Sequence, residues 1–185
     1  MKLDEFIETF LLQPLREFFL RYLRFSPVRP HELKLFVLGC TMLLAFMLGS
    51  SYYLINLLGA LCLLPMLGLI SAIETLKLQQ TGTGSASVLF QPLLESLLYL
   101  GLILHYANLG NALFASFAAL SLLSIWLMLT LKEQLDVLIT LPKLELRLLF
   151  LAIATALNLS FIYLVVLILG ICAQILWHYR TFFKQ

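Results

Sequence analysis

Long apolar runs, broken by short polar joints, fill most of this chain. They cover roughly 33–50, 53–77, 87–107, 111–131, 145–157 and 160–179, and few charges interrupt them. A helix that crosses a bilayer core about 30 Å thick needs roughly 20 such residues, so the pattern reads as a series of spans. The last two segments come from one apolar stretch, 148–177, which is too long for a single upright span. The interruption "ALNLS" lies inside it, and Asn158 and Ser160 predict a tight turn with a short helix on either side. The first 25 residues follow a different rule. Ile7, Leu11, Leu15, Phe18 and Tyr22 share one helical face, with Phe6, Phe10 and Phe19 beside them, while Glu8, Arg16, Glu17, Arg21 and Arg24 lie mostly elsewhere. That layout suits a helix lying in a membrane interface, and equally one packed on other protein. Pro14 falls in the middle and is expected to kink the helix or divide it. The expected fold is an all-α integral membrane protein, six transmembrane helices preceded by an N-terminal amphipathic interfacial helix. Residues 1–185 form a single membrane domain, with 1–32 as the interfacial segment and 33–180 as the six-helix bundle.

Composition sharpens this. Of the 185 residues, 62% are hydrophobic and 12% are charged, too little polarity to coat a soluble domain and too few residues to add one. Charge placement then gives an orientation. With six spans, all twelve basic residues fall on or beside one side, which also carries the N-terminus, the loops near 78–86 and 132–144, and the C-terminus. The opposite joints, "GSS", "YANLGN" and "LNLS", carry no charge, so the basic side is expected to be cytoplasmic. A single span in place of the last two would strand Arg180 and Lys184 on the far side. The N-terminus has charges of both signs and no compact apolar core before a cleavage site, unlike a removed signal peptide. The expected location is a plasma membrane, the inner membrane in a bacterium, with both termini cytoplasmic. A net charge of +2 points to no polyanion, so no nucleic acid is expected as a partner; membrane lipids are. Cys40, Cys62 and Cys172 lie in apolar runs without a CxxC pair and read as structural. Trp126, Trp177, Tyr52, Tyr53 and Tyr106 lie near expected span ends, as an interfacial aromatic belt requires.

Ionisable residues at membrane depth are costly and are the first place to look for chemistry. Glu74 ends the second span, Lys77 follows it, and Glu95 lies two turns into the third with Gln91 stacked one turn below it. Lys77 is a candidate partner for Glu95. Between the two spans, "TGTGSAS" offers amides and hydroxyls at a helix start, suited to an anion but lacking the lysine of a P-loop. Lys77, Ser85, Ser87, Lys143 and Arg147 are the candidate lipid- or phosphate-binding residues. His31, His105 and His178 are scattered without an HxxxH or HExxH spacing, which disfavours zinc, and no serine sits in a GxSxG elbow.

Taken in order, these features resemble the CDP-alcohol phosphatidyltransferases, membrane enzymes of phospholipid synthesis with a cytoplasmic-face amphipathic helix and six spans. "SPVRPHELKLFVLG" is similar to the opening of that family's first span, with Pro30 and His31 at its proline-asparagine step. The family signature is D-x-x-D-G-x-x-A-R, eight residues, then G-x-x-x-D-x-x-x-D. Its second half fits "SVLFQPLLE", with Ser87 for the glycine and Gln91 and Glu95 for the third and fourth aspartates. "LPKLELRLLFLAI" resembles the start of the fifth span, with Lys143, Glu145 and Arg147, and "ILWHYRTFF" resembles the family's ending, with Arg180 at the basic position.

The resemblance implies a site where four aspartates hold two divalent cations on the diphosphate of the CDP-alcohol, the last aspartate serving as base. Here the first two aspartates fall on Ile70 and Ile73, and the A-R pair on Lys77 and Leu78. A one-residue slip puts Ser71 and Glu74 at the metal positions instead. The metal candidates are then Glu74, Glu95, Gln91 and Ser71, too few anionic oxygens for a pair of Mg²⁺ or Mn²⁺ ions. The expectation is a relative that keeps the architecture without catalysis, acting as a lipid-binding or partner subunit. Family members commonly dimerise, so a homo- or hetero-dimer is implied. Two alternatives stay open: an active enzyme with a reduced site and Glu95 as base, and an unrelated membrane scaffold or transport accessory subunit in which Glu95 and Gln91 tie helices together.

Overall fold

The computed structural model describes residues 7–25, 29–81, 90–135 and 144–182, and every regular element among them is helical. A π-helical turn, Glu8–Leu12, runs into α1, Gln13–Leu23. Six longer helices follow: α2 Pro30–Leu48, α3 Tyr53–Thr81, α4 Phe90–Asn108, α5 Ala112–Leu135, α6 Leu144–Ala156 and α7 Ser160–Phe182. They coincide with the six apolar runs. Two of them, over His31–Leu48 and Tyr53–Leu76, are long and apolar enough to cross a membrane. Shorter apolar stretches, Ala112–Leu127, Leu146–Ala156 and Ser160–Leu176, occupy α5, α6 and α7. Length and apolarity among the described residues thus support two crossings where the sequence pattern suggested six. The difference has physical causes. The 19-residue α4 carries Gln91, Glu95, His105 and Asn108, while the 13 residues of α6 reach only about 20 Å against a core of about 30 Å.

Local chemistry explains the boundaries. Pro14 stands in the first turn of α1, directly after the π-helical turn, so the amphipathic segment changes its helical form where the proline interrupts it. Pro30 opens α2, where a missing N–H costs nothing, and the Glu32 carboxylate accepts the Arg29 N–H at 3.2 Å. Between α4 and α5, Gly110 takes φ +70°, and the Asn111 side chain accepts the Phe114 N–H at 3.3 Å to cap the next helix. Between α6 and α7, Asn158 adopts the left-handed φ of 57°, a conformation asparagine tolerates better than most residues. The interruption in the long apolar stretch is therefore the expected turn.

α4 lies at the centre of the packing, between α2 and α5, while α3 contacts α2, α6 and α1. Close backbone approach joins α2 to α4: a Cβ added at Gly101 would sit 2.5 Å from the Ala45 carbonyl oxygen. Small residues at such a crossing let two helices meet with dispersion contact along the whole seam. Gly68 does the same for α1, since a Cβ there would lie 2.7 Å from Leu15 Cβ. Leu20 of α1 is buried with Ala72 and Leu76 of α3. Phe10, Leu11, Phe18, Tyr22 and Phe25 remain exposed. The amphipathic segment accordingly packs on protein, as one of the two expectations had it, with Leu15, Phe19 and Leu20 toward α3 and a row of aromatic rings outward.

Candidate functional site

Two polar ties hold the inner half of α4. Glu95 is 1% exposed, and Arg147 of α6, 6% exposed, donates its Nε to Oε1 of Glu95 at 2.7 Å. One turn earlier, Gln91 donates its Nε2 to Oε1 of Glu74 on α3 at 2.9 Å. The residues are four apart on α4, so they stack on one side, as a helix dictates, yet they reach different neighbours. A buried charge-assisted pair of this length is short and strong, and it offsets part of the cost of desolvating both groups. Around it, Tyr163 of α7 donates to the Arg147 backbone carbonyl at 3.1 Å, and the Tyr99 and Tyr163 hydroxyls lie 3.3 Å apart. Glu95 Oε2 is buried without a hydrogen-bond partner among the described residues.

The sequence candidates divide as follows. Glu74 meets Gln91 and Glu95 meets Arg147; the suggested contact with Lys77 involves a side chain outside what the structure describes. Ile70 and Ile73 are buried in the apolar core, so neither faces an open site. Ser71 is half-buried, and its backbone carbonyl accepts the Thr75 hydroxyl at 2.8 Å. Lys77 lies within α3, while Ser85, Ser87 and Lys143 lie outside the described residues. Arg147, expected at a phosphate, spends its Nε on a carboxylate. Sequence reasoning missed that pairing. The available signal was position, since Glu95 and Arg147 both stand within the first two turns of their helices.

A second polar set closes the opposite end of the bundle. His105 Nδ1 lies 2.6 Å from the Ser50 carbonyl, so that nitrogen carries the hydrogen. The Asn56 amide is 3.2 Å from the same nitrogen, and its Oδ1 is otherwise unpartnered. Turning this amide gives Oδ1 the His105 hydrogen to share, so the oxygen and not the NH₂ belongs beside the ring. Asn108 donates to the Gly49 carbonyl at 3.1 Å, Tyr53 to the Ala156 carbonyl at 2.7 Å, and the Tyr106 and Ser160 hydroxyls meet at 2.7 Å. These bonds tie four helices across their connecting turns.

The residues that remain do not fit a pair of divalent cations. Two hard cations demand several anionic oxygens, and this half of α4 brings two carboxylates, one held by a guanidinium and one by an amide. Among the described residues no three His, Cys, Asp or Glu side chains gather in a metal-sized group. What the structure does enclose is a cavity of about 470 Å³ between α6 and α7. Its walls are apolar, with Arg147, Tyr163 and Gln174 the polar exceptions. α7 packs chiefly on α5 and only lightly on α6, which leaves this hollow open along the hairpin. No family model matches the chain, and no curated protein matches it.

Proposed function

We propose that this chain is a six-span membrane protein with the architecture of the CDP-alcohol phosphatidyltransferases in which an ion pair has replaced the metal site. It is non-catalytic and works as a lipid-binding or partner subunit, alone as a homodimer or beside a catalytically intact relative. The observation that carries this reading is the 2.7 Å contact between Arg147 and Glu95. Glu95 stands where the resemblance expects the catalytic carboxylate, and a buried guanidinium there supplies the positive charge that a cation would otherwise bring. Its Oε1 is taken by the guanidinium and both side chains are buried, so no acceptor hydroxyl comes within hydrogen-bond reach of this carboxylate as it stands. The chain sits in a plasma membrane, the inner membrane in a bacterium, with both termini on the basic, cytoplasmic side.

The test is a transfer assay on the purified chain in phospholipid vesicles, with CDP-diacylglycerol, an alcohol acceptor and Mg²⁺ or Mn²⁺. No transfer above the protein-free rate is expected, with or without chelator. Metal-dependent transfer would establish the reduced-site enzyme instead. A second reading, a membrane scaffold unrelated to the family, is supported by the two ties of α4, which bind three helices through side chains alone. It shares the prediction of no transfer. It differs in requiring no lipid specificity.

A further inference from the structure

The hollow between α6 and α7 has no role in the ties just described, although Arg147 borders both. We infer that it holds one hydrocarbon chain of an anionic phospholipid, with the headgroup at the Arg147 end. This rests on the membrane reading above and gives it a ligand class. Its volume of about 470 Å³ falls within the range of about 300–1,000 Å³ usual for a small-molecule site, with apolar walls and a few polar groups. The polarity is arranged lengthwise. Leu157 and Leu159 border the hollow beside the Asn158 turn, and Arg147 and Gln174 border it away from that turn. An amphiphile has the same asymmetry.

Charge favours an anionic head. By sequence alone, the flanks of the hairpin remote from Asn158 carry Lys143, Arg180 and Lys184 against Glu145, besides Arg147, which is paired with Glu95, while "LNLS" carries no charge. Juxtamembrane basic residues attract anionic lipids at about 1 kcal/mol each. Gly170 lies in the middle of α7 on the wall of the hollow, and nothing among the described residues comes within 4 Å of where its Cβ would be, so the wall is open there. An apolar hollow of this volume admits a flexible hydrocarbon chain.

The experiment uses the full chain in vesicles of equal phosphatidylglycerol and phosphatidylcholine, one or the other carrying a photoactivatable group in its acyl chain. Crosslinked residues are then mapped. Phosphatidylglycerol is expected to label Ile153, Ile162 and Val166 in preference to phosphatidylcholine. In Gly170→Leu, whose Cβ meets no described atom within 4 Å, that labelling falls about tenfold, equivalent to losing roughly 1.4 kcal/mol of binding. Gly39→Leu, at an equally open glycine on α2, leaves it unchanged. Equal labelling by both lipids, or labelling that survives Gly170→Leu, overturns the inference. So does a dimer mass that Gly170→Leu splits, since a second copy then fills the groove. No CDP-alcohol is present, so loss of the lipid site leaves the non-catalytic reading standing, and transfer in the other assay leaves the lipid site standing.

Discussion

Glu95 and Arg147 are each tolerable in their buried setting because the other is there. Removing one leaves an uncompensated charge, which costs about 3–5 kcal/mol in comparable buried pairs. Glu95→Ala is therefore expected to lower unfolding stability by that order, measured by denaturant titration in mild detergent. Replacing both partners by apolar residues, Glu95→Leu with Arg147→Met, should recover most of the loss, because neither charge then needs desolvation. Additive losses in that double-mutant cycle would mean that the two side chains do not depend on each other. Gln91→Leu, at a half-buried and singly charged contact, is expected to cost less, about 1.5–3 kcal/mol at most. At this scale the sequence marked Gln91 and Glu95 on α4 but did not name Arg147 as the partner of Glu95. Periodicity places Gln91 and Glu95 on one side of a helix but is silent about which residue, 52 positions further on, arrives there.

At the level of elements, close backbone contact does what side-chain pattern cannot. Gly101 lets α4 lie against the Ala45 backbone, so Gly101→Val must push α2 and α4 apart. Overpacking of this kind costs about 1–3 kcal/mol, and it should appear as earlier thermal unfolding with no change in helix content of the folded protein. The helices themselves were legible: uninterrupted apolar runs, a proline at the start of α2 and an asparagine at the turn before α7 all carried their positions. The π-helical turn ahead of Pro14 was not, since its extra residue per turn leaves no separate mark on an amphipathic pattern. Nor was the preference of α7 for α5 over α6. The stacked rings of Phe114 and Phe161, 3.9 Å apart, hold it there.

For the whole molecule, the expected topology puts every basic residue on one side, and cysteine labelling can test it. Ser51→Cys, exposed in the α2–α3 turn, should react with an impermeant maleimide from the outer face of intact cells, and Phe25→Cys, equally exposed, only after permeabilisation. Labelling of both from the outside would refute the six-span arrangement. Each background should carry Cys62 and Cys172 replaced, since both are exposed.

The turn at Asn158 decides more than the shape of one hairpin. In the six-span arrangement proposed above, a membrane-insertion machine would meet the stretch 148–177 as a single apolar segment, long enough to be threaded straight through. A residue content with positive φ, as Asn158 is, would help fold it back. Asn158→Val, a branched residue ill suited to that angle, should yield a fraction of chains whose tail emerges on the wrong side of the membrane, detectable by protease protection of a C-terminal tag. One backbone angle would then govern on which side of the bilayer Arg180 and Lys184 are delivered.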